Sequence, residues 1–406
     1  MGGGGVGGGD EGHGLRAPGA RHAGGGDGRA HEGRRRRRLR AGARLGVLAR
    51  RHRARAERRP AAPPAPRGRA RGVPLAARRR RDGAALRRAG GAHPGAHAWG
   101  GRVVKIAIVV LHLDRREALL ACLDSCAKLD HDDHEITVVE NGTPPGPDWR
   151  AAAGARVRVL RSPVNVGYAA GNNLGIRDAL GRGADAVLLL NDDTLVAPDV
   201  LARLAAAAED DPAAGALGPV VLTADEPARV WFAGATLDRA TCTLATPGVG
   251  GPPPDGESRP RRSAYVTGCC LLLTRTALER VGLLDERFFL YWEDTDWGAR
   301  AAAAGFASLV VPAARIRHRV SLSTGGEDSA LKAYHRVRSH LLFARLHAPA
   351  ALPGLRRRLA RDVAWLALRS RAAGRWRRAR AHVAALRDHH LGRGGPGPAW
   401  LWTASR

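Results

Sequence analysis

Hydrophobic and polar positions follow a regular pattern only in the middle of the chain, over residues 102–329. Short apolar runs rich in β-branched residues, typical of strands buried on both faces, are separated there by segments with the apolar spacing of amphipathic helices. The pattern predicts strands over 103–111, 135–139, 157–160, 186–190 and 265–274, and helices over 117–128, 171–180, 198–208, 278–281 and 298–304. Strands alternating with helices at this spacing predict an α/β domain with a mainly parallel sheet.

The two ends of the chain have a different character. Residues 1–101 are rich in Gly, Arg and Ala, with five consecutive Arg at 34–38, and their apolar positions are too sparse for a packed domain. We expect this region to be disordered. Three explanations stay open for it: a start codon assigned too far upstream, a solvated tail, or an electrostatic arm for anionic lipid or nucleic acid. Residues 330–406 have a basic, helical pattern with one apolar side, so the sequence predicts three parts: 1–101, 102–329 and 330–406.

Charge is distributed unevenly among these parts. The 406 residues carry a formal net charge of +28, of which residues 1–100 contribute +19 and residues 330–406 contribute +15. The middle, 101–329, has a net charge of −6. A middle part with excess carboxylates is not a nucleic-acid-binding core. We therefore expect no specific nucleic-acid partner.

The cysteines and the lack of long apolar runs indicate a reducing, cytoplasmic compartment. The five cysteines are odd in number and form no CxxC pair with zinc spacing, and Cys122 and Cys126 stand four apart in a helical pattern. We expect buried free thiols and a reducing, cytoplasmic compartment. No apolar run approaches the ~18 residues of a membrane span, and we expect no secretory signal at the N-terminus.

A first polar cluster, Asn191-Asp192-Asp193, follows directly after the predicted strand at 186–190. Ligands of open α/β sheets collect at the carboxyl ends of strands. Two carboxylates there are suited to Mg²⁺ or Mn²⁺ bridging a diphosphate. The alternative is a turn that caps the next helix, since Asp and Asn are favoured both in turns and at helix N-caps.

A second cluster combines three acidic with three aromatic residues: Tyr291, Trp292, Glu293, Asp294, Asp296 and Trp297. Repulsion and partial desolvation raise the pKa of a carboxyl group, which suits a general base. Aromatic faces beside carboxylates also suit sugar rings, which offer C–H faces and hydroxyls. The alternative is a helix start with surface acids.

Two further features are weaker by themselves. The segment 165–173 (NVGYAAGNN) combines small residues, which permit close backbone approach, with Asn side chains that donate and accept hydrogen bonds. It matches neither a GxGxxG fingerprint nor a Walker A sequence. His318 is a lone histidine, of a kind that is usually structural, and it becomes interesting only as a third metal ligand beside the aspartates.

Five motifs occur in a fixed order: VVENGT (138–143), NVGYAAGNNLGI (165–176), LLLNDDT (188–194), TGCCLLLTR (267–275) and ERFFLYWEDTDWGARAAAAG (286–305). Together they resemble glycosyltransferase family 2, of GT-A fold, and in particular its rhamnosyltransferase-like branch. The resemblance covers about residues 103–345. It implies a Rossmann-like GT-A catalytic domain.

The resemblance also implies roles for particular residues. Asp294 matches the general base, with Glu293 beside it. Asp193 matches the last Asp of the metal-binding DXD motif, with Asn191 at its first position, and His318 resembles a histidine that completes the coordination of Mg²⁺ or Mn²⁺.

For the nucleotide-sugar, the resemblance points to six positions: Glu140, Asn141, Asn165, Gly167, Asn172 and Asp192. Glu140 stands where the family usually has an Asp that contacts the base or ribose. One departure concerns His112-Leu113-Asp114, which replaces the usual Asn-aromatic-Asn after the first strand and puts the nucleotide contacts there in question.

The function implied is inverting transfer of a sugar from a nucleotide-diphosphate donor to a hydroxyl of a glycan or lipid-linked acceptor, in cell-surface polysaccharide synthesis. The basic segment 330–406 either lies on the inner face of the membrane as a peripheral contact or forms a solvated helical cap on the catalytic domain. Two alternatives are an Arg-rich nucleic-acid-binding protein and a nucleotidyltransferase. The second is disfavoured because no Gly-rich, Arg- or Lys-bearing phosphate loop follows the strand at 103–111.

Overall fold

The computed structural model describes residues 98–99, 102–142, 149, 157–254, 259–319, 329–368 and 373–403. The expected disorder of residues 1–101 concerns a region that lies almost wholly outside these described residues. The division into three parts therefore stays a prediction.

Strands and helices alternate over the first half of the described chain. The strands are β1 (Ala98–Trp99), β2 (Arg102–Val103), β3 (Ile106–His112), β4 (His134–Asn141), β5 (Val157–Ser162), β6 (Ala186–Asn191), β7 (Thr194–Val196), β8 (Ala214–Thr223), β9 (Val230–Phe232), β10 (Thr236–Asp238), β11 (Thr243–Ala245), β12 (Arg261–Ser263), β13 (Cys270–Thr274) and β14 (Ala307–His318). The helices are α1 (Arg116–Cys126), α2 (Tyr168–Gly181), α3 (Val200–Asp210), α4 (Arg275–Val281), α5 (Glu293–Ala303), α6 (Ala330–His347), α7 (Leu352–Leu368) and α8 (Ala373–His390).

A mixed sheet forms the centre of the molecule, with the strand order β12-β14-β8-β13-β6-β3-β4-β5. The strands β6, β3, β4 and β5 are mutually parallel, as the alternation of strands and helices predicts. Strand β13 then lies antiparallel between β6 and β8. A continuous apolar run such as β13 carries no signal of direction, so the sequence could not reveal this reversal.

Helices cover both faces of the sheet because the side chains of each parallel strand point alternately to one face and to the other. In β3, Ile106, Ile108 and Val110 belong to one apolar cluster, with residues of α1 and α3. Ala107 and Val109 belong to a second cluster on the opposite face, with residues of α2, α4 and α5. Because successive side chains of a strand point to opposite faces, an uninterrupted apolar run requires cover on both sides.

Two long strands, β8 and β14, were not predicted. Gly and Pro interrupt the apolar pattern of β8, and Pro312 interrupts that of β14. The pairing of these two strands shifts register between Val311 and Arg315, so Pro312 lies in an irregular stretch that needs no ladder hydrogen bond. In β8, a Cβ on Gly215 would lie 2.8 Å from the Cβ of Phe306, just before β14, and 3.0 Å from the Cβ of Ala277 in α4, so the close approach of these two residues requires glycine there.

The C-terminal helices α6 to α8 pack against the segment that carries the second acidic cluster. Their apolar residues share a cluster with Phe288 and Ala299. Ser339 of α6 donates to the carbonyl of Leu290 at 2.9 Å. Among the described residues, no helix combines the length and apolar composition that crossing a membrane requires.

All five cysteines are buried and free. Cys122 and Cys126 face the first apolar cluster from α1, as their helical spacing predicts. The prediction of buried free thiols is confirmed.

Candidate active site

A cavity of about 260 Å³ lies at the carboxyl ends of β3, β4 and β6. Eight of the ten predicted site residues line it: Asn141, Asn165, Gly167, Asp192, Asp193, Glu293, Asp294 and His318. The fold therefore brings together two acidic clusters that are about a hundred residues apart in sequence.

Asn141 and Asn165 stabilise the loop that precedes α2. The Asn141 side chain donates to Asn165 Oδ1 at 3.2 Å and to the carbonyl of Gly167 at 3.1 Å, and it accepts from the Val166 amide at 2.9 Å. Asn165 Oδ1 also accepts from the Gly167 amide at 2.9 Å. The side-chain amides of Asn141 and Asn165 therefore fix the backbone of the loop that forms this part of the cavity wall.

Gly167 joins this loop to the segment before the second acidic cluster. Its φ is +91°, and a Cβ there would lie 2.5 Å from the carbonyl oxygen of Phe289. The neighbouring Tyr168 donates its amide to that same oxygen at 2.7 Å and its hydroxyl to the carbonyl of Gly268 at 2.5 Å. Glycine is required here by both conformation and space.

Glu140 and Asn172 do not belong to the cavity lining. Glu140 is buried and accepts from Trp149 Nε1 at 2.9 Å and from Arg161 Nε at 2.5 Å. Asn172 donates to the carbonyl of Tyr168 at 3.0 Å. Their contacts with a nucleotide-sugar stay predictions.

Asp192 is held by the histidine that departs from the family pattern. His112 Nδ1 lies 2.8 Å from Asp192 Oδ2 at the ends of β3 and β6. Burial raises the pKa of Asp192, while the contact with His112 opposes the rise. His112 therefore positions one carboxylate of the first cluster.

Asp193 and His318 form the second pair at this end of the cavity. His318 Nε2 lies 3.0 Å from Asp193 Oδ1, at the end of β14, and the contact lacks the alignment of a hydrogen bond. Asp193 Oδ2 lies 3.6 Å from Arg115, and the Trp231 ring packs edge-on against His318 at 4.7 Å between centroids.

This pair fits a divalent cation. Asp193 Oδ1 is a buried atom without a hydrogen-bond partner, and the atom that faces it is His318 Nε2. Two neighbouring ligands of an octahedral ion at ~2.1 Å lie ~3 Å apart, close to the separation of the pair. Within the described part of the chain, no group of three or more His, Cys, Asp and Glu side chains is arranged around one ion. The remaining ligands would therefore come from phosphate and water, which is usual for Mg²⁺.

Asp294 faces the cavity from the first turn of α5. Its Oδ2 accepts from the Gly268 amide at 2.9 Å, and its Oδ1 accepts from the Thr295 amide at 2.6 Å. Burial raises the pKa of Asp294, and these hydrogen bonds oppose the rise. The carboxylate is thus oriented, partly desolvated and able to take up a proton.

Glu293 is more deeply buried, with 5% of its surface exposed, and its Oε2 has no hydrogen-bond partner. Burial first, and the charge of Asp294 second, raise its pKa well above the usual range. Burial of this kind disfavours the charged form of the carboxyl.

Asp296 faces away from the cavity. It is 1% exposed and lies 2.8 Å from Arg300 Nε and 2.6 Å from His347 Nε2. Its role is to connect α5 to α6. The three acids do lie at the start of a helix, as the alternative expects, but Glu293 and Asp296 are buried and are not surface acids.

The turn before α5 has an unusual backbone. Tyr291 and Trp292 have φ values of +66° and +72°, which non-glycine residues rarely adopt. Trp292 is held there by stacking on His340 of α6, with centroids 4.2 Å apart. The turn starts the helix at Glu293, earlier than the predicted 298, and so places both acids in its first turn. Such strain is often retained at functional sites.

Sequence analysis missed several cavity residues: Arg115, Tyr168, Trp231, Thr267, Lys332, Arg336 and Trp402. Three of them come from α6 or from the chain beyond α8, far from any acidic cluster in sequence. Only tertiary packing brings them to the cavity, so no local pattern could have found them.

Glu293→Gln is expected to stabilise the protein at neutral pH. Because burial raises the pKa of Glu293 above its unfolded value, its contribution to stability is complete at low pH and is lost as pH rises through the folded pKa. Gln carries no charge and therefore avoids this loss of stability. We expect a gain of about 1–3 kcal/mol, the usual cost of an unsatisfied buried polar group, so Tm should rise on the order of 5 °C near pH 7.5. The gain should shrink toward zero near about pH 4, where the carboxyl of Glu293 is protonated in both the folded and the unfolded state. Thermal unfolding across this pH range checks the sign, and a gain independent of pH would contradict it.

This mixed sheet, with acids at the end of β6 and at the start of α5, defines a nucleotide-sugar-dependent glycosyltransferase of the GT-A class. The model of glycosyl transferase family 2 matches residues 107–282. An N-acetylglucosaminyl-diphospho-decaprenol L-rhamnosyltransferase of Mycobacterium tuberculosis is 30% identical over 234 residues, which cover 52% of this chain and 75% of the relative. The chain belongs to glycosyltransferase family 2.

The chain is also similar to two further proteins. A dTDP-rhamnosyl transferase of Shigella flexneri is 24% identical over 226 residues, covering 53% of this chain and 73% of the relative. Among solved structures, a mannosyltransferase of Pyrobaculum calidifontis in complex with GDP-Man and Mn²⁺ is 17% identical, with a TM-score of 0.43, covering 71% of this chain and 87% of the other. Family membership favours a sugar transferase over a nucleotidyltransferase or an Arg-rich nucleic-acid-binding protein.

Proposed function

We propose that this protein transfers a sugar, with inversion, from a nucleoside-diphosphate donor to a hydroxyl of a lipid-linked glycan acceptor. The observation that carries this proposal is one cavity with the Asp193–His318 pair on one side and the oriented carboxylate of Asp294 on another. The first arrangement suits a diphosphate with its cation, and the second suits a general base.

In the proposed reaction, Asp294 accepts the proton of the acceptor hydroxyl. The hydroxyl oxygen forms a bond to the anomeric carbon from the face opposite the diphosphate, and the bond from that carbon to the diphosphate oxygen breaks. The electron pair leaves with the diphosphate, so a single displacement inverts the configuration. The amides of Gly268 and Thr295 hold the carboxylate in place throughout.

Asp193 and His318 would hold a Mg²⁺ or Mn²⁺ ion. Such an ion, when bound, neutralises the charge on the diphosphate and stabilises it as a leaving group. Arg115 lies 3.6 Å from Asp193 and supplies a further positive charge at this end of the cavity. His112 keeps Asp192 turned toward itself, so Asp193 is the carboxylate left for the ion.

The names of the relatives suggest the substrates. One relative acts on N-acetylglucosaminyl-diphospho-decaprenol as an L-rhamnosyltransferase, and another is a dTDP-rhamnosyl transferase. We infer a rhamnose-like donor linked to a nucleoside diphosphate and an acceptor sugar on a lipid diphosphate. This combination supports a role in cell-wall polysaccharide synthesis.

The proposal is tested by thermal shift of the full chain with a panel of sugar nucleotides that includes dTDP-rhamnose, with and without Mn²⁺. Stabilisation by one donor that requires the metal supports the proposal and identifies the sugar nucleotide. A folded protein that no donor stabilises in the presence of Mn²⁺ would contradict it.

We also propose that the hairpin of α7 and α8 contacts an anionic membrane surface. Its tip exposes three large apolar side chains, with Trp365 51%, Leu368 87% and Trp376 59% exposed. Arginines surround them in a segment whose net charge is +15. Aromatic and basic residues together favour the interface of a bilayer with anionic headgroups. The five buried free thiols support a reducing compartment, so we place this contact on the cytoplasmic side.

The double substitution Trp365→Ser, Trp376→Ser is expected to weaken binding to vesicles that contain phosphatidylglycerol about tenfold or more, because interfacial burial of both rings is lost. Co-sedimentation of the full chain measures the effect, with phosphatidylcholine vesicles for comparison. The Arg-rich residues 1–101 are present in both proteins, so the difference reports the hairpin tip alone. Equal binding of the two proteins would assign the contact to another part of the chain.

A further inference from the structure

The segment after α8, residues 391–403, brings one aromatic side chain to the cavity. Trp402 lines the cavity together with Phe289 and Asp294, although it lies far from both in sequence. Its side chain is half-buried, so part of the indole ring stays open to a ligand. The reaction proposed above does not use this residue.

The Trp402 ring belongs to an aromatic cluster on the acid-bearing side of the cavity. Its centroid lies 6.2 Å from that of Phe289, edge-on, and 6.4 Å from that of His335 of α6. Phe289 and His335 stack on each other with centroids 5.1 Å apart. Because Phe289 lies shortly before the start of α5, the cluster places Trp402 on the side of the cavity where Asp294 is held.

The segment after α8 is folded so that it holds this ring in place. The indole N–H of Trp402 donates to the carbonyl of Pro396 at 2.9 Å, and the buried Arg338 of α6 donates to a carbonyl of the same segment at 2.7 Å. Gly397 has a φ of +76°, and a Cβ there would lie 2.5 Å from the Tyr334 ring. Glycine is therefore required for this close approach to α6. A ring fixed in this way loses little conformational freedom when a ligand binds.

A second tryptophan of the same segment has a different setting. The Trp400 ring is covered by the guanidinium of Arg380 of α8, whose carbon lies 4.4 Å from the ring centroid. Both rings pack partly buried against the apolar cluster of the C-terminal helices. Trp402 lines the cavity, however, and Trp400 does not. The segment thus carries two tryptophans in similar packing, of which one faces the proposed site.

A sugar ring is the ligand that suits Trp402. A pyranose presents C–H groups on its face and hydroxyls at its rim, and the face of an indole ring carries the negative part of its quadrupole. Stacking on the indole would leave the hydroxyls at the rim within reach of Asp294. Another tryptophan of the lining, Trp231, packs against His318 and so lies at the donor end of the cavity. The sugar beside Trp402 is therefore that of the acceptor.

We propose that Trp402 binds the sugar ring of the acceptor by stacking against it, next to the carboxylate of Asp294. The inference rests on the proposed function, because it assumes that Asp294 activates a hydroxyl of that sugar. It assigns acceptor recognition to the segment after α8, which contains none of the motifs found in the sequence.

The test measures KM for two acceptors with the full chain and Mn²⁺, using as donor dTDP-rhamnose or the sugar nucleotide that stabilises the protein most. One acceptor is N-acetylglucosaminyl-diphospho-decanol, and the other carries a methyl group in place of the decyl chain. Trp402→Leu keeps apolar bulk but removes the aromatic face, so it is expected to raise the KM of both acceptors about tenfold. Trp402→Phe should recover most of the affinity, and the KM of the donor should change less than about twofold.

Trp400→Leu is the matched control, because it makes the same change in the same segment at a ring that does not line the cavity. Its KM values for both acceptors should stay within about twofold of the wild type. An equal rise in Trp400→Leu and Trp402→Leu would show that the fold of the segment, and not the Trp402 ring, determines acceptor affinity.

Fluorine NMR of the protein labelled with fluorotryptophan gives a second measurement, which does not depend on the stability of Trp402→Leu. The Trp402 signal is assigned by its loss in Trp402→Phe, and the Trp400 signal by its loss in Trp400→Leu. Addition of the methyl acceptor should shift the Trp402 signal and leave the Trp400 signal in place. An unshifted Trp402 signal at a concentration of acceptor that saturates the enzyme would refute the contact.

The kinetic results that would overturn the proposal differ from one another. A rise in KM for the decyl acceptor alone would place the lipid chain at Trp402, and a rise in the KM of the donor would place the donor there. Stabilisation by a donor without transfer to either acceptor would refute the acceptor class and this site with it, while leaving donor binding intact. A failure of the proposed function itself would appear earlier, as a wild-type protein that no donor stabilises.

Discussion

Asp294→Asn is expected to lower the rate of sugar transfer by about 10²–10⁴-fold, the range attributable to a general base. The amide keeps the shape of the side chain and can still accept from Gly268 or Thr295, but it cannot take up the proton of the acceptor hydroxyl. Donor affinity should change little, because the donor diphosphate is held at the other end of the cavity. Initial rates and Mn²⁺-dependent thermal shifts by the donor measure the two properties separately.

Asp124→Asn is the control for this experiment, because Asp124 is an exposed acid on α1 that pairs with Lys128. Its rate should equal that of the wild type. Donor binding that disappears together with activity in Asp294→Asn would show that Asp294 supports the donor, and the role of base would be withdrawn.

Asp193→Asn is expected to remove most of the metal dependence of donor binding. Asp193 Oδ1 is the buried carboxylate oxygen that faces His318 and lacks a hydrogen-bond partner, so it is the principal anionic ligand that the chain offers. The Mn²⁺ concentration needed for half-maximal stabilisation by donor should rise on the order of 100-fold. Titration of Mn²⁺ at fixed donor, followed by thermal shift, gives this value.

The neighbouring histidine provides a second measurement of the same site. His318→Ala should raise the required Mn²⁺ concentration in the same direction, since it removes the other member of the pair. An unchanged Mn²⁺ titration in Asp193→Asn, from protein of normal stability, would exclude Asp193 as a ligand.

The parallel half of the fold could be predicted because its pattern is local. Strands β3 and β6 are nearly continuous apolar runs, and each is followed by a segment of helical spacing. Buried runs of this kind need helices on both faces, which the two apolar clusters supply. The antiparallel half escaped prediction because Pro219 and Pro312 interrupt its long strands and because a buried strand carries no mark of direction.

The site was predicted where its residues stand next to one another in sequence. Asp192, Asp193, Glu293 and Asp294 were recognised as pairs of acids, and the fold places all four at one cavity. His112, whose ring contacts the carboxylate of Asp192, stands out in the sequence only as a departure from the family pattern. Lys332 and Arg336 carried no local signal, because a helix with many basic residues does not show which of them line a cavity.

The most direct test of the central claim is the configuration of the product. The full chain would be incubated with Mn²⁺, N-acetylglucosaminyl-diphospho-decanol and the sugar nucleotide that stabilises it most, and the product would be examined by NMR. We predict one transferred sugar whose anomeric configuration is opposite to that in the donor. A product with retained configuration, or release of free sugar without transfer, would contradict the single displacement assisted by Asp294.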